Sequence, residues 1–153
     1  PTYQAPVFRD SLALVASQVD TLLSQPRILY HQDAGNVAFV GDQVSGFFDL
    51  DMCRVGTLSM QLGSLFLLFY WCPLRWRDFL HGFQDAIARR LDPSEIAAGL
   101  AFAHFMIWRS ITRFAEWDGQ FASAEEADQE AQTALNFAAS LGYYNAIVKE
   151  GGL

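Results

Sequence analysis

What constrains this chain most is a change of hydrophobic period between Pro26 and Gly56. Before it, Leu12, Val15, Val19, Leu22 and Leu23 recur three and four residues apart, which predicts a helix over Asp10 to Ser24. Pro26 ends that helix, because its ring cannot sit in a helix interior. Arg27 to Tyr30 then reads as a short strand, and Val37–Val40 and Gln43–Phe48 read as two β-rich runs. Gly41-Asp42 joins those two runs, a two-residue connection of the kind that closes hairpins. The expectation is a small sheet of two or three short strands.

Everything after Gly56 reads as helix. Thr57 to Trp71 is one, stopped by Pro73, and Trp76 to Arg90 is a second whose Arg89-Arg90 pair at its C-terminal end suits the helix dipole. Asp92-Pro93-Ser94-Glu95 supplies a cap, a proline at the first helical position and an acidic first turn for a third helix to about Trp117. Ser123-Ala124-Glu125-Glu126 fits a capping box and opens a last helix to about Val148. The fold class expected is α+β and mostly helical: a short helix, a small β-hairpin carrying the chemistry-bearing loop, then four helices. At 153 residues, with 52% apolar residues, this is one domain around one core.

Charge narrows the partners. Seventeen acidic against ten basic groups give a net charge of -7, and Lys149 is the only lysine, so no basic stripe exists to neutralise a nucleic acid. The most apolar window, Met60 to Leu74, contains Gln61 and falls short of the roughly 18 to 20 residues a membrane span needs. No membrane partner is expected. Cys53 and Cys72 have no metal-ligand spacing and read as buried free thiols, which fits a reducing cytoplasm. His81 and His104 lie on apolar helical stretches and read as packed core histidines.

The residues that carry chemistry flank the hairpin. His31-Gln32-Asp33 and Asn36 precede its first strand, and Asp49 and Asp51 follow its second. Metal-assisted phosphoryl transfer needs a base or orienting group for the attacking hydroxyl, plus oxygen ligands that hold Mg²⁺ against the phosphates. These residues offer those types in that order. The plainer alternative is that Asp33 and Asn36 satisfy turn backbone groups, and that Asp51 caps a loop toward Gly56.

His31-x-Asp33, Gly35-Asn36 with the strand Val37-Ala38-Phe39-Val40, and Gly46-Phe47-Phe48-Asp49-Leu50-Asp51 resemble the catalytic and metal-binding segments of the aminoglycoside phosphotransferase and choline kinase group, which shares the protein-kinase fold. The resemblance spans the whole chain as a single C-terminal lobe. It implies that Asp33 orients or deprotonates the acceptor hydroxyl, that His31 braces the loop, and that Asn36 and Asp49, with Asp51 less directly, ligate Mg²⁺ beside ATP. The family pattern H-G-D-x-x-x-x-N sets the base further from the asparagine than Asp33 stands from Asn36. Either the loop is two residues shorter with Asp33 still serving, or the base is lost and His31 stands where it belongs. The sequence has no glycine-rich GxGxxG turn, and Lys149 follows the site instead of preceding it, so the nucleotide-binding N-terminal lobe is expected to be absent from this chain.

Two functions of different class follow. One is the catalytic lobe of a small-molecule phosphotransferase that moves the γ-phosphoryl group of ATP to a hydroxyl on a small acceptor, cationic or neutral. The other is a non-catalytic kinase-like module that binds a partner or dimerises. The partner, beyond the acceptor, is a missing N-terminal lobe or a second copy of the chain.

Overall fold

The computed structural model describes residues 6–33, 35–68 and 75–116, together with Gln129, Gln132 and Asn136. Helix α1 (Pro6–Ser24) leads into β1 (Ile28–His31), the hairpin strands β2 (Val37–Val40) and β3 (Gln43–Phe47), a 3-10 turn at Leu50–Met52, and β4 (Cys53–Gly56). Three helices follow: α2 (Leu58–Leu68), α3 (Trp76–Ala86) and α4 (Pro93–Glu116). This is the mixed, mostly helical architecture expected. The last helix predicted from Ser123, the proline stop at Pro73 and the thiol of Cys72 lie outside the described residues.

The sheet differs from expectation in one respect. β1 does not join the hairpin; it pairs antiparallel with β4, in register Ile28↔Gly56 to His31↔Cys53, and leaves two separate two-stranded sheets. β4 was not anticipated, because Cys53-Arg54-Val55-Gly56 is short and its partner lies far back in the chain. Hairpin pairing is local and closes as expected: Gly41 takes φ +60, a left-handed turn conformation a side chain resists, and Val37↔Phe47 and Phe39↔Val44 oppose each other.

The core lies where α2 crosses α4. Leu62 and Phe66 of α2 meet Leu100, Ala103 and Ile107 of α4, with Leu80 of α3 and Leu91 closing one side. Glycine makes the crossing close: a Cβ on Gly63 would stand 2.5 Å from the Gly99 carbonyl oxygen. On the other side of α4, Ala98 and Phe102 receive Leu22 of α1. None of the described helices is long and apolar enough to cross a membrane.

Two details of the helical half correct the sequence reading. The second predicted helix stops at Ala86, not Arg90, because Ala88 turns left-handed at φ 54. Arg89 then leaves the helix dipole and makes paired hydrogen bonds of 2.7 and 2.6 Å to the Glu95 carboxylate. The cap at Asp92 forms as read: its carboxylate accepts the Ser94 N–H at 2.8 Å, and Glu95 accepts the Asp92 N–H at 2.9 Å. His81 is exposed rather than packed, since it falls on the outer face of α3.

His104 is buried in α4, and burial lowers its pKa from 6.5 to about 4. Above pH 6.5 folded and unfolded chains both hold it neutral and nothing is lost. As the pH falls below 6.5 the unfolded chain takes up a proton that the folded chain refuses, so stability drops until about pH 4. The loss amounts to about 3 kcal/mol. Chemical denaturation of wild type and His104→Gln between pH 7 and 4.5 checks this; equal slopes in the two proteins would contradict it.

Candidate functional site

The site is built on two strand ends and one hairpin mouth. His31 closes β1, and the ladder runs one step further as the Gln32 N–H donates to the Met52 carbonyl at 3.1 Å. Alternation along β1 turns Tyr30 inward and His31 to the other face. There His31 Nε2 lies 3.1 Å from the Phe48 carbonyl oxygen and 3.0 Å from that of Asp49. Two carbonyls accept only, so Nε2 carries the proton and donates to both. Nδ1 is buried without a hydrogen-bond partner. His31 therefore ties the segment after β3 to the end of β1.

Between β1 and β2 the chain makes a tight turn. Asp33 Oδ1 accepts the Gly35 N–H at 3.1 Å, and its backbone carbonyl accepts the Asn36 N–H at 3.2 Å. The turn chemistry weighed as the plain alternative is thus present, and Asp33 itself is exposed. Asn36 sits at the hairpin mouth, where its carbonyl accepts the Phe48 N–H at 3.2 Å. Closing the hairpin carries Asn36 to Asp49, thirteen residues on, and Asn36 Nδ2 donates to Asp49 Oδ2 at 3.1 Å.

Asp49 has φ 60 and ψ 50, in the left-handed region. For a residue with a side chain this costs roughly 1–2 kcal/mol, which makes the position one held by its surroundings. The Asp49 carbonyl accepts the Met52 N–H at 3.1 Å, and the turn that follows brings Asp51 round to Asp49. A hydrogen bond between the two carboxyls lifts Asp49 above the usual carboxylate range, with desolvation and the charges of Asp51 and Asp33 adding to the rise and His31 opposing it. The same bond holds Asp51 below that range.

His31, Asn36, Asp49 and Asp51 are thus brought together, and the charge of Asp33 reaches Asp49. Among the described residues no three His, Cys, Asp or Glu side chains form a metal-holding group by themselves. The donor set is instead two adjoining carboxylates and the free end of one amide. Crowded like charges with only oxygen donors suit a hard divalent cation such as Mg²⁺. Sequence reasoning missed Arg54, which donates from Nη1 to the carbonyls of Asp51 at 2.5 Å and Cys53 at 2.8 Å. A signal for it was present: it is the one Lys or Arg between Arg27 and Arg75. Cys53 is a free, half-buried thiol, less enclosed than expected.

The model of the phosphotransferase enzyme family matches residues 3–99, a segment that holds all five site residues. The chain belongs to the phosphotransferase enzyme family. Neither the curated proteins nor the solved structures gave a match.

Proposed function

We propose that this chain is the catalytic lobe of a small-molecule phosphotransferase that transfers the γ-phosphoryl group of ATP to an acceptor hydroxyl. The observation that carries the reading is the contact of Asn36 with Asp49, made while His31 fixes the backbone on either side of the Phe48–Asp49 bond. Asn36, Asp49 and Asp51 are the residues that would hold Mg²⁺. A divalent cation held there would neutralise charge on the phosphates. Asp33 is placed at the exposed edge of the same cluster, where it aligns the acceptor hydroxyl and takes its proton as the oxygen attacks phosphorus and ADP departs. His31, with both carbonyls on Nε2, acts as the brace and not as the base.

The grip on the nucleotide phosphates comes from a lobe outside these residues, since Lys149 follows the site. A partner surface is available beside the cluster: Phe39, Val44 and Phe47 on one hairpin face are each more than half exposed. A contiguous apolar face of this kind suits burial under that lobe or under a second copy. The cytoplasm, where ATP and Mg²⁺ are plentiful, is the proposed compartment. The test is transfer of labelled phosphate from ATP to a panel of hydroxylated amines and sugars by the full-length protein. Label should enter at least one acceptor, cease with a chelator and resume with Mg²⁺. Transfer that persists unchanged in chelator would remove the metal from the reading, and a panel without any labelled product would favour the non-catalytic module.

A further inference from the structure

Two clamps hold the turn that bears the acidic pair. His31 takes the carbonyls at its beginning, those of Phe48 and Asp49. Arg54 takes the carbonyls at its end, those of Asp51 and Cys53, through the two hydrogens of one guanidinium nitrogen. Between the clamps lies Asp49 in its left-handed conformation. The base of Arg54 is itself fixed, because the residue sits in β4 directly opposite Tyr30, which is buried.

We propose that Arg54 is a positioning residue: its hydrogen bonds to the Asp51 and Cys53 carbonyls set the turn that aims the Asp49 and Asp51 carboxylates at a common divalent cation. The proposal rests on reading that cluster as the Mg²⁺ site. Arg54 does not touch the cation, and as a positive charge beside it would weaken binding if charge were its only contribution. Its contribution is geometric. A lysine keeps the charge but ends about one bond short of the two carbonyls, so Arg54→Lys separates the two roles.

The experiment is a titration of the full-length protein with Mn²⁺ alone, the free ion being read by electron paramagnetic resonance. Wild type should bind one Mn²⁺ at the cluster, and Asp49→Ala should lose it. Arg54→Lys and Arg54→Gln should both bind about tenfold more weakly, as for other residues that orient metal ligands. Thermal melting should be nearly unchanged in both, since the side chain is exposed. In the transfer assay the two variants should need more Mg²⁺ for half-maximal rate yet recover wild-type turnover at saturating Mg²⁺, a split that a merely structural defect would not give. If Asp49→Ala loses Mn²⁺ while Arg54→Lys binds it like wild type, the clamp is overturned and the metal site stands. If Asp49→Ala binds as much Mn²⁺ as wild type, or wild type binds none, the metal reading itself fails.

Discussion

Replacing Asp49 by alanine should remove nearly all phosphoryl transfer and leave the fold in place. The carboxylate is the centre of the cluster: Asn36 donates to it, the Asp51 carboxyl adjoins it, and the charge of Asp33 reaches it. Deleting it strips one of the two carboxylates from the proposed cation site and removes the hydrogen-bond acceptor of Asn36. Loss of a group that stabilises charge in the transition state lowers turnover on the order of a thousandfold or more. Stability should change little, because the Asp49 side chain is exposed. Circular dichroism of the variant should match wild type while its turnover number collapses. A variant that folds and turns over a confirmed acceptor at the wild-type rate would show that the cluster is not the reaction centre.

Much of the scaffold under that centre is legible in the residues themselves. The hairpin announces itself through alternating runs and a Gly41-Asp42 turn, and the left-handed φ of Gly41 is what that glycine is there to supply. The start of α4 is equally explicit, since Asp92, Pro93, Ser94 and Glu95 each fill the position that their chemistry suits. These signals are local, and local signals survive without knowledge of the fold. β4 has none, because four residues with one aliphatic side chain gain strand structure only from β1 across a long loop. The end of α3 is hidden for a related reason: Arg89 looks like a helix-terminal cation until its bidentate partner Glu95, contributed by the next helix, is in place.

The site divides the same way. Which residue types gather near the hairpin can be read from the order His31, Asp33, Asn36, Asp49 and Asp51. What each does within it cannot, because the contacts that distinguish them are to backbone. The Nε2 contacts of His31 involve main-chain oxygens, as do both Nη1 contacts of Arg54, and main-chain partners leave no mark in the sequence. Asn36 and Asp49 meet side chain to side chain, and that pairing follows once the hairpin is closed.

The short loop from Asp33 to Asn36 poses the sharpest question about the chemistry, and two substitutions answer it. Asp33→Asn keeps the turn, since its remaining side-chain oxygen can still accept the Gly35 N–H, but it removes the basic carboxylate. Turnover should fall by about a hundredfold to ten-thousandfold. Nucleotide affinity should hold, because an orienting base acts on the acceptor and not on ATP. His31→Ala removes the brace on the Phe48 and Asp49 carbonyls and leaves Asp33 untouched. Its cost should be smaller, about tenfold to a hundredfold, as expected of a residue that positions others. Kinetics with a confirmed acceptor, and nucleotide binding followed by calorimetry, separate the cases. Should His31→Ala cost as much as Asp49→Ala while Asp33→Asn costs little, the base of this loop is the histidine, and the hydrogen bonds it makes in the resting chain must break for it to act.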